Sequence, residues 1–293
     1  MHRFFVPPEL LAPVIAGVMH RAPSEKTLDV VSEEAVLIAL PDQLAHQVRD
    51  VLHMGVGEQL LLLDNSGDEF LAAIAKSGRT GVVAQVLERR RDKNESPVRV
   101  VLYQGLLKSA RFEWILEKGT ELGVSAFAPV HFRRSMAGLE EAGTAKLQRW
   151  QRIIQEAAEQ CGRARLPELL PIRPLKRALD AISPGALAFI PWEQEHSKSL
   201  REALETSIVG LTLAVNPSPV VNPSHSVATQ KTLSQTEKIT VVLFIGPEGG
   251  LMSEEVALAQ QYGVQVVTLG PRILRAETAA LAAVANVMYA LGG

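Results

Sequence analysis

The sequence predicts an α/β protein in two parts: a small β-rich N-terminal domain and a larger domain built on a mostly parallel sheet. Two observations lead to this prediction. Residues 1–88 contain short runs of branched and aromatic side chains joined by turn signals, which are typical of strands. From Val98 onwards, apolar strand-like runs alternate with helical segments, and this alternation indicates parallel strands covered on both faces.

The composition is that of a soluble globular protein. Of 293 residues, 47% are apolar and 21% are charged, and Cys161 is the one cysteine. A single cysteine excludes an intrachain disulfide and fits a reducing, cytoplasmic compartment. The longest apolar stretch near the start, residues 10–19, is too short to span a bilayer. The histidines and the cysteine show no metal-ligand spacing, so we expect neither a membrane nor a metal partner.

The net charge of −2 is unevenly distributed along the chain. Residues 1–88 carry −6, residues 89–180 carry +7 and residues 181–293 carry −3. A basic middle segment can attract a phosphate backbone even when the whole chain is weakly acidic. Solvated helix faces explain the same composition equally well, so the charge alone leaves nucleic-acid binding open.

In the first domain, RFFV, LDVV and EAVLIAL predict strands, and EQLLLLDNSGDEFLAAI predicts a hairpin through Asn65–Asp68. One helix is predicted over PDQLAHQVRDVLHMG, with Pro41 near its start and a glycine after its end. The charged stretch 89–97 predicts a linker. The domain boundaries are therefore expected at 1–88 and 98–293.

In the second domain, VRVVLYQGLL, VSAFAPVHF, ALAFIPW, LTLAV and ITVVLFI predict strands. Helices are predicted at SARFEWILEKGTELG, AKLQRWQRIIQEAAEQCG and KSLREALE. Residues 216–238 contain three prolines, abundant serine and threonine and no periodicity. This composition predicts a flexible surface insertion without chemistry of its own.

The run ITVVLFI ends in GPEGG, residues 246–250. Glycines permit positive φ or a close approach of backbone to a ligand, and parallel sheets bind ligands at the carboxyl ends of their strands. Ser253 is a predicted N-cap, followed by Glu254 and Glu255. These acids disfavour a phosphate at this helix start, and neither a P-loop nor G-x-G-x-x-G is present. A plain turn is the alternative interpretation.

A second strand end, after VQVVTLG, carries PRILRAETAALAAVANVMYALGG. Arg272 and Arg275 flank an apolar pair, and Glu277 and Thr278 open an alanine-rich helix that is slim enough to approach other backbone closely. The two strand ends together predict a pocket for an uncharged or zwitterionic ligand. A C-terminal helix with capping glutamate and threonine is the alternative.

FIGPEGGLMSEEV followed by LGPRILRAETA closely resembles the ribosomal small subunit methyltransferase E family of bacteria. The opening MHRFFV, the segment LLKSARFEWILEKGTELGVSAFAPV and the segment RWQRIIQEAAEQCGRARLPEL resemble further motifs of that family. The resemblance therefore covers nearly the whole chain. One departure is His53, which stands where the first-domain helix of the family has an arginine.

The resemblance implies a PUA-like N-terminal β-barrel that binds RNA and a C-terminal SPOUT α/β domain with a trefoil knot. It implies a homodimer that binds S-adenosylmethionine and methylates N3 of the uridine at position 1498 in 16S ribosomal RNA of the small ribosomal subunit. The alternatives are a SPOUT methyltransferase acting on another RNA position, such as a ribose 2′-hydroxyl, and a non-catalytic RNA-binding protein of ribosome assembly.

The resemblance also implies site residues. The cofactor-binding residues are Gly246, Pro247, Glu248, Gly249, Gly250, Leu269, Gly270, Ile273, Leu274 and Arg275, and Ile190–Glu193 is expected to form a third wall. Because uridine N3 carries a proton at neutral pH, we expect Arg275 to stabilise the anion and Glu277 to act as a base or orienting group. Capping and pairing with an arginine is the alternative for Glu277. The RNA-binding candidates are Arg3, His46, Lys108, Arg111, Arg134 and Arg163, with Arg134 and Arg163 as alternative dimer contacts.

Overall fold

A computed structural model of the chain describes residues 1–18, 29–30, 36–91, 95–135, 143–215 and 239–292. The chain divides into two compact units, one made of Met1–Glu95 with Arg152–Leu166 and the other of Ser96–Gln151 with Pro167–Gly293. The insertion predicted at 216–238 lies outside the described residues.

The first unit is built on a mixed sheet. Its strands are β1 (Arg3–Phe5), β2 (Asp29–Val30), β3 (Leu37–Ala39), β4 (Gln59–Leu63), β5 (Asp68–Gly78) and β6 (Gly81–Arg91). Strand β1 is parallel to β4, the other pairings are antiparallel, and the order is β1-β4-β5-β6-β2 with β3 also beside β6. The short helices are a 3-10 helix (Pro8–Leu10), α1 (Ala12–Val18), α2 (Asp42–His46) and a π-helical turn (Gln47–Val51).

The predicted hairpin and helix of this unit are confirmed. Asn65 and Gly67 adopt positive φ between β4 and β5, as a tight turn requires. The predicted linker 89–97 is too long, because β6 continues to Arg91. Arg89 explains the difference, since its Nε donates to Asp68 Oδ2 at 2.7 Å between the paired strands β5 and β6. The charged run is therefore partly a paired strand.

The second unit is a parallel sheet with helices between its strands. The strands are β7 (Val98–Gly105), β8 (Ala126–His131), β9 (Glu168–Leu169), β10 (Arg173–Pro174), β11 (Leu187–Pro191), β12 (Ile239–Ile245) and β13 (Gln265–Val267). The helices are α3 (Ser109–Glu121), α4 (Thr144–Cys161), α5 (Leu175–Asp180), α6 (Leu200–Val215), α7 (Ser253–Gln261) and α8 (Ala276–Leu291). Helix α4 begins in this unit, and its residues from Arg152 belong to the first unit.

The strand order is β10-β8-β7-β12-β11-β13, with β9 beside β8, and every pairing in it is parallel. This confirms the predicted α/β fold with a parallel sheet. Strands β7 and β12 bury side chains on both faces, as apolar runs in parallel sheets do. The order also places the carboxyl ends of β12, β11 and β13 side by side.

The strand predicted at LTLAV is wrong. These residues form the end of α6, which runs without a break from Leu200 to Val215. A five-residue apolar run has no periodicity that separates a strand from a buried helix. The preceding segment contains no proline, and the helix continues through Gly210 into LTLAV.

Candidate functional site

A cavity of about 510 Å³ lies at the carboxyl ends of β11, β12 and β13. Three segments form its walls, and each follows directly from one of these strands. The lining residues are Pro191, Trp192, Glu193 and His196 at the end of β11 and just after it, Ile245–Leu251 at the end of β12, and Thr268–Leu274, Ala276 and Ala279 after β13. The volume is in the usual range for a small-molecule site. The strand end expected to form a third wall does line the cavity.

The GPEGG turn takes its shape from two glycine positions. Gly250 has a φ of 74°, in the left-handed region that favours glycine, and its N–H donates to the Pro247 carbonyl at 3.0 Å. Gly105, the last residue of β7, faces the same turn. A Cβ on Gly105 would lie 2.6 Å from the Pro247 nitrogen. The backbone of β7 and the backbone of the turn therefore touch, with no room for a side chain between them.

Beyond the turn, a buried carboxylate fixes the start of α7. Glu255 is 6% exposed. Its Oε1 accepts the Arg133 N–H at 2.8 Å and its Oε2 accepts the Met252 N–H at 2.9 Å. The predicted N-cap Ser253 is wrong, because the N-cap residue is Met252 and Glu255, three residues later, bonds back to its N–H. One of the two acids at this helix start thus holds backbone and not a ligand.

The loop after β11 is tied to the end of β13. The Trp192 N–H donates to the carbonyl of the last β13 residue at 3.0 Å, and the Thr268 N–H donates to the Lys198 carbonyl at 2.8 Å. Within the loop, Glu195 Oε1 accepts the Ser197 hydroxyl, the Ser197 N–H at 2.6 Å and the Lys198 N–H at 3.1 Å. These bonds, led by the Ser197 hydroxyl, lower the pKa of Glu195 to about 2.

Replacement of Ser197 by alanine should raise the pKa of Glu195 towards its ordinary value, because the hydroxyl is the largest cause of the lowering. Since the folded pKa is depressed, these loop bonds are present above pH 4.5 and are lost as the pH falls towards about 2. A carboxyl-carbon NMR titration of the wild type and of Ser197→Ala measures the shift. Ser253→Ala, an exposed serine elsewhere, is the control. An unchanged Glu195 midpoint in Ser197→Ala would contradict the assignment.

The segment after β13 brings the final helix to the cavity. Gly270 has a φ of 118°, and its N–H donates to the Thr268 hydroxyl at 3.2 Å. Helix α8 follows with Arg275 as its N-cap residue. Ala276 and Ala279 line the cavity, so the alanine-rich helix brings its backbone close to any ligand, as the sequence indicated.

Most of the predicted cofactor-binding residues are brought together at this cavity. All five GPEGG residues line it, as do Leu269, Gly270, Ile273 and Leu274. Arg275 is exposed and is not among the lining residues, whereas Arg272 is. The sequence placed Arg272 in the same strand-end loop as Arg275, but Arg272 was not among the residues expected to bind the cofactor. His196 was missed, because the sequence offered no signal for it.

The predicted catalytic Glu277 does not line the cavity either. Its Oε1 lies 3.6 Å from Arg111 Nε. Its Oε2 is buried and has no hydrogen-bond partner within the described ranges. Pairing with an arginine was the alternative that the sequence left open for Glu277. The catalytic roles of Arg275 and Glu277 stay predictions.

The predicted RNA-binding residues divide between the two units. In the first unit each contacts a carboxylate: Arg3 that of Glu69, His46 that of Asp50 and Arg163 that of Glu95. In the second unit they follow the carboxyl ends of β7 and β8: Lys108, Arg111 and Arg134. Arg134 Nη1 donates to the Gly249 carbonyl at 3.1 Å. Contacts of these residues with RNA stay predictions.

Within the described ranges, no group of three or more His, Cys, Asp or Glu side chains could hold a metal ion. Across the same part of the chain, no helix has both the length and the apolar character needed to cross a membrane.

Comparison with known proteins defines the class to which this fold and cavity belong. Residues 94–288 match the family model of an RNA methyltransferase domain. More narrowly, the chain belongs to the ribosomal RNA small subunit methyltransferase E family. It is 31% identical over 262 residues to the member from Synechocystis, and the matched region covers 88% of this chain and 76% of that protein. It is 29% identical over 259 residues to the member from Bacillus subtilis, covering 88% and 91%.

Solved structures show the same fold. The crystal structure of a ribosomal RNA small subunit methyltransferase E from Neisseria gonorrhoeae bound to S-adenosyl methionine has a TM-score of 0.73 at 28% identity, covering 99% of this chain and 98% of that one. A methyltransferase from Legionella pneumophila in complex with bound SAM has a TM-score of 0.71 at 27% identity, with the same coverage.

Proposed function

We propose that this chain transfers a methyl group from S-adenosylmethionine to N3 of a uridine in 16S ribosomal RNA of the small subunit. The observation that carries the proposal is the cavity. The chain belongs to this family, and its cavity lies at the strand ends where parallel sheets bind ligands. Nine of the ten residues expected to bind the cofactor line this cavity. The neighbouring structure from Neisseria gonorrhoeae holds S-adenosyl methionine.

The lining residues fit S-adenosylmethionine. The walls combine apolar side chains such as Leu251 and Leu269 with the backbone of the GPEGG turn, and they include the carboxylates of Glu193 and Glu248. A ligand with a positive sulfonium and amino group, a carboxylate and no phosphate suits such walls. When bound, the cofactor supplies an electrophilic methyl group.

The chain itself must position the uridine and manage its N3 proton. A base must take this proton, or a cation must stabilise the anion that forms. We keep Arg275 as the stabilising cation and Glu277 as the base or orienting group. Arg272, which lines the cavity, is a second cation on the same loop. Holding uridine N3 close to the methyl carbon of the cofactor makes a further large contribution to the reaction rate.

We extend the proposal to the finer features of the fold. The sheet of the first unit forms a PUA-like RNA-binding β-barrel, and the second unit forms a SPOUT domain with a trefoil knot. Support comes from the antiparallel strands of the first unit and from the second sheet, in which β12 lies between the earlier strands β7 and β11. We also propose that the chain is a cytoplasmic homodimer. The homodimer is supported by large apolar side chains that are exposed in the single chain, Ile273 at 85% and Tyr289 at 92%. The cytoplasmic location is supported by the single cysteine.

Arg275→Ala should keep dimerisation but lose methyl transfer by about 100-fold in kcat or more, the usual cost of losing a group that stabilises a developing anion. Single-turnover methylation of a 16S RNA fragment measures the loss, and Arg272→Ala tests the neighbouring cation in parallel. A fully active Arg275→Ala enzyme would remove Arg275 from the mechanism.

Two measurements test the proposed function. Calorimetry should detect S-adenosylmethionine binding that is lost in Gly249→Trp, because even a Cβ at this position would lie 2.9 Å from the Arg134 Cβ. Primer extension on 16S ribosomal RNA should stop at the methylated uridine, fail to stop in a deletion strain and stop again when the gene is restored. No cofactor binding would rule out an enzyme, and methylation at a ribose hydroxyl would favour a different RNA target.

A further inference from the structure

Arg111, in the first turn of α3, joins two separate walls of the cavity. Its Nη1 donates to Glu248 Oε1 at 2.7 Å, and its Nε lies 3.6 Å from Glu277 Oε1. Glu248 belongs to the GPEGG turn and lines the cavity, whereas Glu277 lies in α8 between the lining residues Ala276 and Ala279. A single guanidinium therefore connects the wall after β12 with the wall after β13.

The two carboxylates need this cation. The Glu248 and Glu277 side chains are only 24% and 13% exposed, while that of Arg111 is 41% exposed. Two nearby carboxylates that are largely removed from water repel each other unless a cation lies between them. Replacement of Arg111 would leave the Glu277 carboxylate without the guanidinium that lies 3.6 Å from its Oε1.

The chain that leads into α3 also supports the turn through its backbone. Gly105 ends β7, and its α-carbon faces the peptide that joins Gly246 to Pro247, leaving no space for a Cβ. The segment from Gly105 to Arg111 thus contacts the GPEGG turn twice, once through backbone and once through the guanidinium. Both contacts favour one position of the turn relative to the sheet.

We propose that Arg111 is a positioning residue for the cofactor loop, and that this is its role in place of the RNA contact expected from the sequence. It holds the GPEGG turn and the first turn of α8 at the separation that the cavity requires. The inference rests on the proposed function of that cavity. The planar guanidinium offers five N–H donors in a fixed fork, which suits a bridge between two carboxylates better than the single ammonium of lysine.

The effect should fall on cofactor affinity and not on global stability. A partly exposed ion pair adds little to the free energy of unfolding. Loss of the bridge instead lowers the fraction of molecules whose turn is arranged for binding, and the apparent Kd rises in inverse proportion to that fraction.

Arg111→Gln in the full chain should raise the Kd and KM for S-adenosylmethionine about tenfold, with the KM for RNA changed less than about twofold. Arg111→Lys, which keeps the charge but not the fork, should lie between Arg111→Gln and the wild type. The control is Arg149→Ala. It removes an exposed arginine of α4 that pairs at 2.8 Å with Glu113 of α3, the helix that carries Arg111. This control should leave all of these constants unchanged.

A double-mutant cycle with Glu248→Gln tests the connection itself. If Arg111 acts through Glu248, the Kd of the double variant for S-adenosylmethionine should be no higher than the higher Kd of the two single variants. Additive losses would overturn the proposal. So would a raised KM for RNA and a weaker salt dependence with unchanged cofactor affinity, which are the signs of a phosphate contact. Absence of cofactor binding in the wild type would instead reject the proposed function.

Discussion

Gly105→Ala should weaken S-adenosylmethionine binding by about tenfold or more, although residue 105 lies outside the cavity. An added Cβ would lie 2.6 Å from the Pro247 nitrogen and 2.8 Å from the Gly246 carbonyl carbon, well inside the ~3.5 Å at which non-bonded carbon atoms attract each other. Both neighbours are backbone atoms, so no side chain can rotate away and the turn itself must move. Overpacking of this kind costs about 1–3 kcal/mol, and tenfold in affinity corresponds to ~1.4 kcal/mol.

Calorimetric titration with the cofactor measures the effect, and a thermal melt monitors the fold. Gly143→Ala is the matched control, because a Cβ at that position would meet nothing within 4 Å. Cofactor affinity in Gly105→Ala within twofold of the wild type would show that the contact between β7 and the turn does not set the cavity.

Glu255→Ala should lower the free energy of unfolding by about 2–4 kcal/mol, since a hydrogen bond to a charged group contributes about 1.5–3 kcal/mol. The two donors concerned are the backbone N–H groups of Arg133 and Met252, which the carboxylate accepts at 2.8 and 2.9 Å. Because Arg133 follows β8 and Met252 follows the GPEGG turn, cofactor affinity should also fall.

Chemical denaturation gives the free energy of unfolding directly. Glu254→Ala removes the adjacent carboxylate, which is exposed, and should change stability by less than about 0.5 kcal/mol. If Glu254→Ala and Glu255→Ala unfold at the same denaturant concentration, the two backbone bonds do not contribute as proposed.

Local patterns in the sequence were sufficient to predict the parallel sheet and two of the three cavity walls. An apolar run that ends in GPEGG marks a strand end, and a strand end of a parallel sheet is where ligands bind. The same reasoning applies to the segment before α8. Each of these two walls is contained in about a dozen consecutive residues, so no knowledge of distant contacts was required to predict it.

The remaining features depend on contacts between distant parts of the chain. Gly105 carries no local signal, because its constraint comes from β12 lying beside β7 in the sheet. Arg111 resembles any other cation of the basic middle segment, since its partner Glu248 is 137 residues away. LTLAV was mistaken for a strand because its helical state is set by continuity with α6.

The order of the sheet also determines when this site can form during protein synthesis. Strands β7 and β11 are made before β12, yet β12 lies between them. The central place in the sheet therefore stays open until residues 239–245 leave the ribosome. Pairing across such long sequence separations makes folding slow, and unpaired strand edges expose a nascent chain to aggregation. Cofactor binding is thus among the last capacities that the growing polypeptide acquires.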